Sequence, residues 1–345
     1  MIRKLMQLLA AALVLFVLAL VVAGWRLQST LSQPLRLESE RLLEVQPGDT
    51  PGGMVKHLQA EGVLDGAFWL RLYWRFNPPG QALHSGEYRL TPQQTVSDLL
   101  DLWARGQVVQ YSLTLVEGWN FRQVRDALAR QEKLEHNLPG LDDKALMGRL
   151  GLSGVSPEGR FFPDTYSYVR GMSDLDLLRQ ASKRLDQVLD EEWRKRADGL
   201  PYRESYDALI MASMIEKETG VAEERGQIAG VFVRRLRKGM RLQTDPTVIF
   251  GLGERYNGRL TRAHLREATP YNTYVIDGMP PTPIALAGRE AIHAALNPVA
   301  GKSLYFVARG DGSHVFSETL GQHNRAVREY QLKRRADYRS SPAPR

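Results

Sequence analysis

The sequence predicts an α+β protein with an N-terminal membrane helix, small strand–helix modules and a larger mixed α/β domain around one buried helix. Residues 5–25 contain no charged side chain. From 41 to about 130, an extended segment, a turn and an amphipathic helix recur at spacings of about 25 to 45 residues. Residues 205–220 read SYDALIMASMIEKETG and are apolar almost all round a helix, which is typical of a helix inside a large domain.

Composition limits the classes of function. The 345 residues are 43% hydrophobic and 25% charged, which fits one or two globular domains. The absence of cysteine excludes disulfides, thiolate metal sites and a cysteine nucleophile. A net charge of +7 predicts an anionic partner, such as a membrane surface or an acidic wall polymer. No nucleic-acid motif accompanies this charge, so we expect no nucleic-acid partner.

Residues 5–25 are predicted to anchor the chain in a membrane. As a helix they span about 30 Å, the thickness of a bilayer core. A cleaved signal peptide would have a shorter apolar run and a small-x-small site, whereas Trp25-Arg26 follows here. Arg3 and Lys4 place residues 1–4 in the cytoplasm. We therefore expect a single-pass protein of the inner (cytoplasmic) membrane, with 26–40 as a linker and the remainder in the periplasm.

The strand–helix modules allow two interpretations. They can bind a polysaccharide, or they can be a scaffold joined to the main domain.

The loop at 157–168, PEGRFFPDTYSY, also allows two interpretations. Its aromatic side chains can line a sugar-binding groove, or they can fill the core beneath the loop. The long loop at 268–285 lacks periodicity and is a candidate for the rim of a binding site. In the turn after Gln243, Asp245 is either a helix N-cap or a substrate contact.

Two carboxylates end the buried helix. Glu218 follows Ile215, Met214 and Met211 by three, four and seven residues and so lies on their face, whereas Glu216 points elsewhere. A carboxyl among apolar side chains is desolvated, its pKa rises, and it can donate a proton near neutral pH. In the alternative interpretation, both carboxylates are exposed and paired with nearby bases.

Other chemistries find little support in the sequence. Only His314 and His323 lie even loosely together, without the spacing of metal ligands, so neither a metal nor another cofactor is expected. Ser213 and Lys217 do not have the spacing of an SxxK motif, and G-x-S-x-G is absent. Carboxylate chemistry remains, and it fits cleavage of a glycosidic bond.

Several long segments resemble the YceG-like family of endolytic murein transglycosylases, and they extend over nearly the whole chain. They are EGRFFPDTYSY, IEKETG, RLRKGMRLQTDPTVIFGLG, PYNTYVIDGMPPTPIA and LYFVARGDGSHVFSETLGQHN. The resemblance implies a LysM-like module at 41–110, a catalytic domain at 111–335 and a flexible tail at 336–345. It implies peptidoglycan glycan strands as substrate, the inner membrane as support and peptidoglycan synthases as candidate partners.

The resemblance also assigns roles. Glu218 is implied to be the catalytic acid and base that cleaves the MurNAc–GlcNAc bond and leaves a 1,6-anhydro-MurNAc end, while Glu216 is structural. The implied groove residues are Gln243, Thr244, Asp245, Tyr271, Asn272 and Tyr274. Cleavage inside nascent strands would make the enzyme a terminase of glycan polymerisation. Two alternatives stay open: a muramidase with Asp245 or Glu216 as second carboxylate, and a non-enzymatic wall-binding scaffold.

Overall fold

The computed structural model describes residues 2–76 and 83–332. The chain divides into two compact units. Unit 1 consists of 1–111 with 133–135 and 167–172, and unit 2 of 112–132, 136–166 and the chain from 173 onwards. The first crossing between units lies at 111–112, and two later segments return to unit 1. The predicted domain boundaries stay predictions. The tail predicted at 336–345 lies outside the described residues.

Unit 1 combines one long helix with a small α+β module. Its β1 and β2 strands form an antiparallel pair in which Arg41 lies opposite Leu90. The helices α2, α3 and α4 enclose a core that includes Leu58, Leu70 and Tyr88. The elements are α1 (Ile2–Leu31), β1 (Arg41–Val45), α2 (Pro51–Ala60), α3 (Ala67–Phe76), β2 (Gly86–Leu90) and α4 (Val96–Arg105).

Helix α1 is long and apolar enough to cross a membrane, and its apolar stretch is exposed. It continues to Leu31, beyond the predicted end of the span at residue 25. The region expected to be a linker, 26–40, is instead structured in part. Leu35 is buried in the core of unit 1, and its backbone N–H donates to the carbonyl of Gln94 at 2.8 Å.

The predicted strand–helix pairs are all present, because their signals are local. Thr50 and Thr95 cap α2 and α4 with their hydroxyl oxygens, which accept backbone N–H bonds from the first turn. The first two pairs form one module, since β1 pairs with β2. The third pair falls mainly in unit 2. The LysM-like character of the module stays a prediction.

The remaining elements form a mainly helical assembly with two short two-stranded sheets, β3–β4 and β5–β6. The β5–β6 pair is antiparallel, with Phe306 opposite Phe316. The elements are β3 (Tyr111–Thr114), α5 (Phe121–Ala129), α6 (Asp143–Arg149), β4 (Thr165–Tyr168), α7 (Asp174–Arg194), α8 (Ser205–Glu218), α9 (Ala222–Arg237), α10 (Asp245–Leu252), α11 (Arg289–Leu296), β5 (Tyr305–Ala308), β6 (His314–Ser317) and α12 (Leu320–Val327). The whole chain is thus α+β, as predicted.

Helix α8 is the central helix of unit 2. Every residue from 208 to 215 is buried, and α7, α9 and α11 pack around it. The helix begins at Ser205, and Glu204 occupies the N-cap position. Asp207 stabilises this end, because its carboxylate accepts the N–H of Arg203 at 2.7 Å. The helix ends at Glu218, and Thr219 is its C-cap residue.

The aromatic side chains of 157–168 belong to the core. Phe161, Phe162, Tyr166 and Tyr168 are all less than 9% exposed. The Tyr166 hydroxyl donates to the Phe162 carbonyl at 2.7 Å, which satisfies its buried polar group. The interpretation of this loop as an exposed sugar-binding groove is therefore wrong, and the core interpretation is confirmed.

Candidate active site

Glu218 is the last residue of α8, and its carboxyl lies half-buried at the wall of a cleft. Burial raises the pKa of this carboxyl, a hydrogen bond from Thr244 lowers it and the negative charge of Asp245 raises it, and together these effects bring the pKa to about 7. The C-terminal end of a helix dipole also disfavours a negative charge. The group can therefore hold a proton at neutral pH and release it.

Thr244 contacts Glu218 directly. Its hydroxyl donates to Glu218 Oε1, and its side chain is only 1% exposed. Buried bonds to the loop at 268–285 hold this threonine: its backbone N–H donates to the hydroxyl of Thr273 at 3.0 Å. The Thr247 hydroxyl donates to the Thr244 carbonyl at 2.7 Å. Thr244 is thus fixed before any substrate arrives.

Gln243 adopts a left-handed backbone conformation, with φ of 56°. No other non-glycine residue in 2–76 or 83–332 has a positive φ. Its N–H donates to the Thr273 carbonyl at 3.1 Å, and its side-chain oxygen accepts a bond from Arg235 at 3.3 Å. Unfavourable backbone conformations of this kind concentrate at functional sites, where surrounding contacts hold them.

Asp245 is the first residue of α10, so it does not occupy the N-cap position that the sequence also allowed. Its Oδ1 accepts the hydroxyl proton of Tyr274 at 2.7 Å. Burial raises the pKa of Tyr274, and the charge of Asp245 raises it again, so the phenol stays a donor. The pair presents a carboxylate beside Glu218.

Asn272 and Tyr271 have structural contacts. The Asn272 amide donates to the Glu267 carbonyl at 2.7 Å, and its Oδ1 accepts the N–H of Tyr274 at 3.0 Å. Tyr271 packs edge-on against Phe250, with ring centroids 4.7 Å apart. These two residues shape the loop that carries Tyr274, but they are not among the residues lining the cleft. Their expected contact with substrate stays a prediction.

The cleft beside Glu218 has a volume of about 740 Å³. Gln243, Asp245 and Tyr274 line it together with Glu218, so four of the seven expected site residues meet in one place. Thr244 is not among the residues that line the cleft, but its hydroxyl contacts Glu218. The opposite wall comes from β5, β6 and α12, and includes Tyr305, Phe306, His314, Leu320 and His323. A mixed aromatic and polar wall of this kind suits a sugar chain.

Glu216 has a different environment. Its side chain is 7% exposed, and its Oε2 accepts the N–H of Gly288, just before α11, at 3.0 Å. Burial raises its pKa, while the bond from Gly288 lowers it. Glu216 does not line the cleft at Glu218. These contacts agree with its expected structural role.

Glu158 is another buried carboxyl that the cleft does not include. Burial raises its pKa to about 7, against backbone hydrogen bonds that lower it. Both of its oxygens accept the N–H of Phe121, at 3.1 and 3.2 Å, which joins it to the start of α5. A raised pKa therefore does not by itself mark a functional carboxyl, since Glu158 shares it without lining the cleft.

Sequence reasoning missed the pairing of Glu224 with His314. Glu224 accepts the backbone N–H of His314 at 2.8 Å, and its other oxygen lies 2.7 Å from His314 Nδ1. The hydroxyl of Thr219, the residue after Glu218, also donates to Glu224 at 3.4 Å. The pair thus ties the end of α8 to β6. No sequence signal joins residues 90 positions apart.

Metal ligands are not assembled in the part of the chain that the structure describes. Among its His, Asp and Glu residues, no group of three or more is placed to hold a metal ion.

Comparison with known proteins gives the family. The family model described as the YceG-like family matches residues 43–329, well over half of the chain. The chain belongs to the YceG-like family. The match includes both the strand–helix module and the cleft.

Relatives of this YceG-like protein carry a consistent description. An endolytic murein transglycosylase of Bacillus subtilis (strain 168) is 27% identical over 324 residues, which cover 87% of this chain and 88% of the relative. One from Streptococcus pneumoniae serotype 2 is 28% identical over 243 residues, or 69% of this chain and 42% of the relative. The crystal structure of a YceG-like protein from Listeria monocytogenes has a TM-score of 0.53 and 29% identity, covering 84% of this chain and 99% of that one.

Proposed function

We propose that this protein is an endolytic peptidoglycan lytic transglycosylase that uses Glu218 as its acid and base. The observation that carries the proposal is a half-buried carboxyl with a pKa of about 7 at the wall of a 740 Å³ cleft. Relatives named endolytic murein transglycosylases support the substrate. The substrate is then the bond between N-acetylmuramic acid and N-acetylglucosamine.

The first step is proton donation to the leaving oxygen. Thr244 occupies Glu218 Oε1 with a hydrogen bond, so Oε2 is the oxygen available to carry the proton. As that proton moves to the glycosidic oxygen, the bond from C1 to this oxygen breaks. N-acetylglucosamine leaves with a hydroxyl, and C1 of the muramyl residue becomes oxocarbenium-like. General acid catalysis of this kind contributes about 10²- to 10⁴-fold to the rate.

The second step uses the same carboxyl as a base. Glu218, now ionised, accepts the proton of the muramyl 6-hydroxyl, and O6 attacks C1. This closes a 1,6-anhydro ring and returns the proton to Glu218, so no water is consumed. A pKa near 7 suits both directions of transfer, because neither protonation state is strongly disfavoured.

Asp245 supplies electrostatic stabilisation in this proposal. Its carboxylate lines the cleft, and its charge is felt at Glu218. A fixed negative charge beside C1 favours the positive charge that develops there. Tyr274 holds one oxygen of this carboxylate with a hydrogen bond of 2.7 Å. Gln243, beside Asp245 on the same wall, is placed to bind the sugar.

The cellular setting follows from α1. We propose that α1 crosses the inner membrane, with Arg3 and Lys4 on the cytoplasmic side and with unit 2 and the α+β module of unit 1 in the periplasm. Membrane attachment places the cleft where new glycan strands emerge from synthases. Cleavage within such strands would limit their length. A peptidoglycan synthase is accordingly a candidate partner.

Mass spectrometry of muropeptides tests the proposal. The full chain in detergent is incubated with uncrosslinked glycan strands, beside the variants Glu218→Gln and Glu216→Gln. We expect internal fragments with anhydro ends from the wild type and from Glu216→Gln, and none from Glu218→Gln. Glu216→Gln is the matched control, because glutamine keeps an acceptor for the N–H of Gly288.

The products also decide between this function and its alternatives. Reducing ends in place of anhydro ends would identify a muramidase, and Asp245 in the same cleft is the available second carboxylate. If Glu218→Gln released as many fragments as the wild type, the role of Glu218 would be refuted. Binding of strands by a folded wild type without any cleavage would favour the wall-binding scaffold.

A further inference from the structure

Helix α3 turns an aromatic face away from the core of unit 1. Ala67 and Leu70 are buried and lie on one side of the helix. At 100° per residue, Phe68, Trp69 and Leu72 lie on the opposite side. Phe68 is 60% exposed, and its ring meets that of Trp69 edge-on at 5.3 Å. A core-packing role does not explain this face.

One flank of this face is basic. Arg71 and Arg75 are exposed on one side of it, and α3 contains no acidic residue. The acidic residue just before the helix, Asp65, is paired with Arg36. An aromatic face with arginines beside it is the pattern of a helix that lies in a membrane interface, where the arginines meet lipid phosphates.

Helix α3 also packs against the candidate membrane helix α1. Gly66, immediately before α3, lies so close to Thr30 that an added Cβ would be 2.8 Å from the Thr30 hydroxyl. The side-chain amide of Gln33 donates to the Asp65 carbonyl at 2.7 Å, which fixes the start of α3 beside the end of α1. The position of α3 along α1 is therefore defined.

That position is close to the expected lipid surface. Thr30 follows Trp25 by five residues, which is about 7.5 Å along a helix axis at 1.5 Å per residue. Ala23 and Leu27, which precede Thr30 by seven and three residues, are less exposed than their neighbours, so this face of α1 is covered. The Trp25-Arg26 pair marks the interface on the same helix.

We propose that α3 is an interfacial helix, with Phe68, Trp69 and Leu72 inserted among the lipid headgroups on the outer side of the membrane. Arg71 and Arg75 would contact the phosphates. This inference rests on the membrane placement of α1 proposed above. The second attachment, beside the span, would hold the α+β module of unit 1 at a set height and orientation relative to the bilayer.

Spin labels test the proposal directly, because the chain has no cysteine of its own. The variants Phe68→Cys, Leu72→Cys, Ser97→Cys and Leu15→Cys are made in the full chain. Each is labelled and reconstituted into vesicles of phosphatidylethanolamine and phosphatidylglycerol. Collision with oxygen, which concentrates in lipid, is compared with collision with a water-soluble nickel chelate. Ser97 is the matched control, since it is exposed on α4 of the same unit.

We expect the ratio of oxygen to nickel collisions at Phe68 and Leu72 to exceed that at Ser97 severalfold and to approach that at Leu15. A ratio at Phe68 and Leu72 equal to that at Ser97 would overturn the proposal. Low collision with both reagents would overturn it as well, because it would indicate a protein partner on this face. A water-like ratio at Leu15 would instead refute the membrane placement of α1, so the two failures are distinguishable.

Discussion

The hydroxyl of Thr244 donates a hydrogen bond to Oε1 of Glu218, across 26 positions of sequence. The bond joins the start of α10 to the end of α8. It leaves Oε2 of Glu218 without a hydrogen bond to any residue in the described part of the chain. One oxygen of the carboxyl is therefore held, and in the proposed reaction the other oxygen carries the proton.

Replacing Thr244 by valine should shift the pH dependence of cleavage. The Thr244 hydrogen bond lowers the pKa of Glu218, so its removal raises that pKa above about 7. The acid form then persists to higher pH, and the alkaline limb of kcat/KM moves upward, while kcat falls because the carboxyl is less well held. Thr244→Ser keeps the hydroxyl and should retain the wild-type limb. An unmoved limb in Thr244→Val would show that the bond does not influence the catalytic proton.

Removing the charge of Asp245 should move the same limb in the opposite direction. The charge raises the pKa of Glu218, so Asp245→Asn lowers it, and activity should decline at lower pH than in the wild type. The loss of a fixed charge beside C1 should also reduce kcat on the order of 10²-fold, as for other preorganised electrostatic contacts. Tyr274→Phe should have a smaller effect, since the carboxylate remains. Rate measurements across pH with defined glycan strands decide both points.

Glu218→Gln should make the protein more stable at alkaline pH. The folded pKa of Glu218, about 7, lies above its ordinary value of 4.5, so the protonated carboxyl is favoured in the folded state. Its contribution is fully present below about pH 4.5 and is lost as pH rises through about 7. Glutamine cannot ionise, so the stability difference should be near zero in acid and grow to at most about 3 kcal/mol above pH 8.

Thermal unfolding at several pH values measures this difference. Glu158 titrates equally in both proteins that are compared, so it does not contribute to the difference. A stability difference independent of pH would contradict the raised pKa of Glu218.

Local features of this fold were predictable, and long-range ones were not. The strand–helix pairs and the extent of α8 follow from periodicity and capping within about 15 residues. The antiparallel pairing of β1 with β2, and the return of 133–135 and 167–172 to unit 1, depend on contacts between distant segments. The region 26–40 was predicted to be a linker because its sequence is largely polar, but Leu35 within it is buried.

The candidate site also combines features that the sequence predicts with features that it does not predict. Glu218 stands out in sequence because it ends an apolar helix. The partner that positions it, Thr244, stands out only through family resemblance, and its hydrogen bond could not be read from spacing. Asn272 was predicted to contact substrate because it is a polar residue in a candidate binding loop. In the structure it is completely buried, and its amide donates to the carbonyls of His264 and Glu267.

Gln243 offers a test of backbone strain. Glycine adopts a positive φ without the penalty of about 1 to 2 kcal/mol that other residues incur, so Gln243→Gly should be at least as stable as Gln243→Ala. Both variants lose the amide that lines the cleft, so both should raise KM for glycan strands. Denaturant unfolding and kinetics on the same preparations separate the two effects. If Gln243→Ala were the more stable variant, the conformation would not be strained.

Glu224 should matter for both stability and rate, although it is not proposed to touch substrate. It accepts bonds from the backbone and lies against the ring of His314, and the hydroxyl of Thr219 beside Glu218 also reaches it. Glu224→Ala leaves these buried groups without their acceptor and should lower the free energy of unfolding by about 3 kcal/mol. It should also reduce kcat more than it raises KM, because the end of α8 loses its tie to β6.

The neighbouring Glu223 provides the matched control, since it is exposed in the first turn of α9. Glu223→Ala should leave kcat unchanged. Glu224→Gln keeps one acceptor oxygen and should recover part of the lost rate at temperatures where both variants are fully folded. That recovery would show that the lost rate comes from poorer positioning of Glu218 and not from a general loss of folded protein. If folded Glu224→Ala instead had the kcat of the wild type, the contact between Glu224 and His314 would serve stability alone.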